Sequence, residues 1–135
     1  MSTLDLDKEP PLRLNVLGGE LLACSYAPLT GYFRDGCCHS DGRDAGHHVV
    51  CARMTDDFLR YSYSRGNDLI TPRPEHRFYG LKPGDKWCLC ANRWLEAALA
   101  GHAPPVVLEA THVSALQVID LAMLERHKVH DTPKV

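Results

Sequence analysis

The chain has 135 residues, 44% of them apolar and 24% charged, with a net charge of −2 and a pI near 6.4. That size suits one domain, which removes about two-thirds of its unfolded surface from water and folds without staples. The near-neutral balance excludes a global field for nucleic acid or an anionic membrane, so neither is expected as a partner.

No apolar run reaches the roughly 18 residues of a membrane span. The first residues lack both a basic stretch and an apolar stretch of the secretory kind, so a cytoplasmic location is expected. There the six cysteines should be mostly reduced. Neither close pair, Cys37 with Cys38 or Cys88 with Cys90, has the Cα spacing that a disulfide favours.

Residues 1–11 end in Pro10-Pro11 and predict a flexible tail, 12–128 a single α+β domain, and 129–135 a second tail. Residues 12–17 alternate well enough for a strand, stopped by Gly18-Gly19, and 20–24 pair back as a hairpin. From 25 to 47 turn formers crowd too closely for long elements. A loop of that length in a compact domain is functional or tied down. Its acids Asp35, Asp41 and Asp44 miss the spacing of a calcium loop.

Residues 48–54 read as a buried strand. Thr55 then caps a helix whose first turn carries Asp56 and Asp57, where the dipole favours anions, and Gly66 ends it. Residues 67–79 form a second loop around Thr71-Pro72-Arg73-Pro74. Between 60 and 86, six Lys or Arg outnumber three acids. Without aromatic interleaving this is a solvated surface rather than an RNA platform.

Pro83-Gly84 predicts a turn, after which residues 86–91 alternate as a strand with Cys88 and Cys90 on one face. Asn92 suits an N-cap, 93–100 a short helix, and Gly101 its left-handed stop. Pro104-Pro105 precede a β-branched run, 106–110, read as another strand. The connection is too long for a hairpin and suits a parallel crossover, hence a βαβ unit in a mixed β-sheet. Ligands gather beyond the carboxyl ends of such strands, which places Cys90, Asn92 and Arg93 near Thr111 and His112. Residues 111–116 predict one helical turn, 117–119 a short strand, and Asp120 the cap of a last helix through Leu124 and His127.

Three chemistries compete, the third being polar recognition of a small molecule without covalent chemistry, by Arg34-Asp35, Asn67-Asp68, Asp85 and Arg93 with Thr111. In the first, a small-molecule ligand meets Cys90 as nucleophile and His112 as its base or counter-ion. Cys90 lies near a helix start, where unpaired N–H groups favour a thiolate. Arg34, Asp85, Cys88, Asn92, Arg93 and Thr111 are the candidate ligand-binding residues. Set against this, free cysteines commonly serve as small buried hydrophobes. In the second, no small-molecule cofactor is used and zinc stabilises an interaction module. Its ligands would come from Cys24, Cys38, His48, Cys51, Cys88, Cys90 and His112, with Cys38, Cys51, Cys88 and Cys90 as the leading set. No Cys-x2-Cys knuckle supports it. The chain carries no P-loop, Gly-x-Gly-x-x-Gly, His-Glu-x-x-His or Gly-x-Ser-x-Gly motif.

Several strings occur together: Asn15-Val16-Leu17-Gly18, Thr30-Gly31-Tyr32-Phe33-Arg34-Asp35-Gly36, Arg65-Gly66-Asn67-Asp68-Leu69, Gly80-Leu81-Lys82-Pro83-Gly84-Asp85, Trp87-Cys88-Leu89-Cys90 and Ala110-Thr111-His112. With them the chain resembles, from about residue 15 to 127, the family of small, mostly bacterial proteins called domain of unknown function 2237. The resemblance implies a compact intracellular domain and brings no reaction or substrate. Tyr79 and Cys37 depart from the family pattern.

Overall fold

The computed structural model describes residues 13–44 and 47–130. The tail predicted at 1–11 and most of the one predicted at 129–135 lie outside the described residues. The start of the second is attached, because the Val129 N–H donates to the Val106 carbonyl at 2.8 Å.

At the centre lie two antiparallel strands, β1 (His48–Arg53) and β2 (Lys86–Cys90). The run Val49-Val50-Cys51-Ala52 is buried throughout, as a strand covered on both faces must be. Val50 pairs with Leu89, Cys51 with Cys88, Ala52 with Trp87 and Arg53 with Lys86. The register then slips, so that His48 rather than Val49 stands opposite Cys90. This is a bulge, which gives one strand an extra residue and re-aims its neighbours.

The other edge of β1 is occupied by the segment after Pro104. Arg53 donates to the Pro105 carbonyl, Val107 to Cys51 and His112 to Val49, at 2.8, 2.8 and 3.0 Å. Val106 bridges Ala52 in the antiparallel sense, so this segment runs in the direction of β2 with β1 between them. The parallel strand predicted over 106–110 is therefore corrected to two isolated bridges at Val106, to Ala52 and to Lys128, and a 3-10 turn, Leu108–Ala110. The physical reason is a mismatch in length. A step of two residues along β1, from Cys51 to Val49, is matched by a step of five from Val107 to His112, and the excess loops out. The Thr111 hydroxyl fills the gap, accepting from the Cys51 N–H at 3.1 Å and donating to the Val107 carbonyl at 2.8 Å.

Three helices pack around this centre: α1 (Asp56–Ser64), α2 (Ala91–Leu99) and α3 (Leu121–Arg126). Thr55 caps α1 as predicted, its Oγ1 accepting from the Phe58 N–H at 3.0 Å. Helix α2 starts earlier than predicted: Cys90 is its N-cap, and Asn92 sits in its first turn. It ends on Gly101 at φ 84, with His102 and Gly101 donating back to Ala97 and Ala98, the paired bonds of a Schellman stop. The strand predicted at 117–119 is the end of a 3-10 segment, Val113–Gln117, followed by irregular chain. Residues 14–20 form a turn closed by a Leu14–Glu20 bridge, held by the buried Asn15 side chain, which accepts from Leu17 and Gly19 N–H groups.

Hydrocarbon and sulfur occupy separate clusters. Phe58, Leu89, Trp94, Val106, Ile119 and Leu124 belong to the main core, where the Trp94 indole donates to the Pro104 carbonyl at 3.1 Å. Cys24, Cys38, Cys51, Cys88 and Ala110 form the second cluster. No helix among the described residues is long and apolar enough to cross a membrane.

Candidate functional site

The bulge in β1 decides what meets Cys90. Cross-strand partners share a face, with Cβ atoms about 4.5–5.5 Å apart, so the slip gives Cys90 an imidazole for a neighbour instead of a valine. Val49 joins Val50 in the main core. His48 is in turn gripped by Asp44, a carboxylate only 3% exposed. Its two oxygens take the His48 N–H at 2.9 Å and the ring Nδ1 at 2.8 Å. A carboxylate only accepts, so Nδ1 carries the proton and Nε2 is left as the basic atom of the neutral ring. Cys90 is a free, half-buried thiol at the N-terminus of α2.

His48 and Cys90 line one recess of about 210 Å³ together with Asn67 and Arg93. The Asn67 amide makes no side-chain hydrogen bond among the described residues, whereas Arg93 is steered by Glu96 at 3.5 Å and the Arg65 carbonyl at 3.1 Å. The recess shares His48, Leu69, Trp87 and Cys88 with a larger cleft of about 560 Å³. That cleft adds Tyr32 and Phe78 as aromatic walls and Arg34, Arg73 and His76 as cationic or titratable groups, against a single carboxylate, Asp68.

The long loop supplies this wall because it is tied down. Cys24 is disulfide-bonded to Cys51 and Cys38 to Cys88, with Cα separations of 5.8 and 5.2 Å, inside the usual span. The expectation of mostly reduced cysteines is thus corrected: sequence spacing ruled out only the close pairs, and the fold brings distant ones together. Thr30 accepts from the Cys88 N–H at 2.9 Å. A Cβ at Gly31 would lie 2.5 Å from the Cys37 carbonyl, so the loop closes only on glycine there. Arg34 has a left-handed φ of 55, a conformation costly for a side-chain-bearing residue and retained where surroundings impose it. Here the guanidinium donates to the Gly31 carbonyl at 2.6 Å and lies 5.1 Å from the Trp87 ring. Asp35 accepts from His39 and the Cys37 N–H. Burial alone would raise its pKa, but these bonds outweigh it and hold the carboxyl below its usual value. Burial and the Asp35 charge push the neighbouring Cys37 thiol up.

The predicted site residues scatter. Cys90, Cys88 and Arg93 share the recess, and Arg34 with Cys88 the larger cleft. His112 lies on the opposite edge of β1 from Cys90, bonded through its N–H to Val49, with Nδ1 accepting from the Ser114 N–H at 3.0 Å. Burial, then the charges of His39 and Arg13, lower its pKa. Thr111 is fully buried between β1 and Val107. Asp85 caps its own turn, taking the Lys82 N–H at 2.9 Å, and Asn92 borders a separate groove on α2. Of the sulfurs considered for zinc, Cys38, Cys51 and Cys88 cluster with Cys24, not with Cys90. The residues that sequence reasoning missed as a pair are Asp44 and His48. Their i, i+4 spacing was legible, but nothing in an aperiodic loop says that the carboxylate will meet the imidazole.

Fold and site together define a small α+β protein built on two short strands, with sulfur and imidazole on one face opening to an aromatic and cationic cleft. The chain belongs to the family described as uncharacterised proteins conserved in bacteria, domain of unknown function 2237, whose model matches residues 14–128. No curated relative matches the chain.

Proposed function

We propose that the protein binds a small molecule and acts on it through Cys90, with His48 as the base and Asp44 as the residue that orients it. The single observation carrying this reading is the cross-strand placement of His48 against Cys90, with the buried Asp44 behind the ring. A nucleophile, a base beside it and a third group fixing the base is the arrangement that activates a weak nucleophile at neutral pH.

The substrate class follows from the walls. Trp87, Phe78 and Tyr32 suit a flat or apolar body, and Arg34, Arg73 and His76 suit an anionic end. A carbonyl at the recess would receive the Cys90 sulfur as the thiol proton passes to His48 Nε2, and its oxygen would meet the Asn67 amide. Collapse of that adduct expels the leaving group, which takes the proton back from His48 and leaves an acyl group on sulfur for water or a second nucleophile.

The test is site-resolved labelling of the folded, non-reduced protein with iodoacetamide, followed by exposure to p-nitrophenyl acetate. Cys90 should react well ahead of Cys37, whose thiol is held up by burial and Asp35. His48→Gln should slow Cys90 about 100-fold, Asp44→Asn should slow it less, and Cys37→Ser should change nothing. Equal rates at the two thiols, or a His48→Gln variant as fast as the parent, would overturn the reading.

A further inference from the structure

The second sulfur-rich feature is independent of Cys90. Cys24, Cys38, Cys51 and Cys88 come from four separated positions, one just before the long loop, one within it, one on β1 and one on β2. Two structural cross-links need not touch each other. Here they do: the sulfurs of Cys24, Cys38 and Cys88 lie within 4.8 Å of one another, and Cys51 is bonded to Cys24. All four residues are buried, and apart from Ala110 they make up the whole buried cluster.

We propose that these four sulfurs form one redox-controlled metal site, closed as two disulfides when oxidised and binding a single zinc ion as four thiolates when reduced. A tetrahedral zinc with bonds of about 2.3 Å sets its sulfurs about 3.8 Å apart, a spacing that Cys24, Cys38 and Cys88 already approach, and Cys51, bonded to Cys24, completes the set by turning in as its S–S bond opens. Burial of all four ligands leaves no open coordination position, which makes the site structural rather than catalytic. The absence of a Cys-x2-Cys knuckle has a simple origin, because a strand pair and a returning loop do the work that two knuckles do elsewhere.

The exchange balances with a dithiol as reductant. Each disulfide takes two electrons and two protons from one dithiol, giving two cysteine thiols and the reductant's own disulfide. Zinc then forms four Zn–S bonds and releases four protons to solvent. In the reverse direction two small-molecule disulfides each accept two electrons and take up two protons, the four thiolates close as two S–S bonds, and the ion leaves. Either state pins residue 24, just before the loop, and residue 38, within it, to the strands, so the wall of the cleft survives a change of redox environment.

The experiment uses the full chain. Protein reduced with excess dithiothreitol is desalted without oxygen, loaded with zinc or cobalt, and examined by native mass spectrometry and by N-ethylmaleimide labelling with peptide mapping. The expected result is one ion per chain, with labelling confined to the two thiols Cys37 and Cys90. After chelator treatment all six cysteines should label. Cobalt should show the thiolate charge-transfer and tetrahedral bands, and Cys90→Ser should still bind one ion per chain with the same bands. Absence of a bound ion, or equal labelling of Cys24, Cys38, Cys51 and Cys88 with and without metal, sinks the proposal. Because the wild-type chain carries both readouts, an unfolded Cys24→Ser variant would not decide the matter. Loss of the metal site would leave the Cys90 reading intact, and the reverse also holds.

Discussion

The two faces of the β1/β2 pair are built from different materials. On one, Val49, Val50 and Leu89 meet Trp94 and the other side chains of the main core. On the other, Cys51 and Cys88 meet Cys24 and Cys38, and the next rung is His48 opposite Cys90. The hydrocarbon face gains its stability from area removed from water and is indifferent to redox state or pH. The sulfur face holds a long loop, and its strength depends on the two disulfide bonds. The lesson is that the site lies where the fold relies least on packing, so its chemistry can be changed without dismantling the core.

Reduction should separate the faces most sharply. The cross-links close loops with separations of 27 and 50 residues, and the chain-entropy account gives each about 3–4 kcal/mol. Metal-free reduction should therefore lower the denaturant midpoint by more than any single core substitution, and zinc should restore much of it. An unchanged midpoint on reduction would mean that the loop is held by contacts alone. Trp94→Ala comes next, at about 3–5 kcal/mol, and urea unfolding should show the same loss in oxidised and metal-loaded protein. A loss that varies with the state of the sulfurs would show the two faces to be one cooperative unit.

The smallest effect is pH-dependent. Burial depresses the pKa of His112 below its ordinary 6.5 in the folded protein, so the unfolded chain takes up its proton first. The associated stability is complete above about pH 6.5 and is lost as the pH falls through the folded value. Denaturation midpoints at neutral and mildly acidic pH should converge in His112→Asn, which keeps a capping side chain at the start of the 3-10 segment. A parent chain whose stability did not fall over that interval would place the imidazole in solvent.

How much was readable varied with the range of the interaction. The cap at Thr55, the stops at Gly66 and Gly101 and the turn at Pro83-Gly84 were legible, because each is set within a few residues. So was the tethering of the 25–47 loop in kind, though not in its bonds. The strand over 106–110 misled because its burial does alternate, with Val106, Leu108 and Ala110 buried and Glu109 exposed. Period two reports a buried face and cannot report that its backbone bonds to its own turn. His112 was paired with Cys90 on the assumption that two strands were neighbours. The intrusion of β1 between them puts His112 on the far edge and gives Cys90 a different imidazole.

By itself the sequence determined the α+β character, the local caps and turns, the family, and the placement of the Cys88 and Cys90 sulfurs on one face of β2. Those follow from propensity and periodicity, which act over a few bonds of the chain. Only the tertiary structure decided which sulfurs meet, that His48 and not His112 stands beside Cys90, and that Asp44 is buried behind it. The pairing of His48 with Cys90 depends on a register slip of one residue in one strand, and the energy that selects a register is summed over the whole sheet and core rather than written at any position.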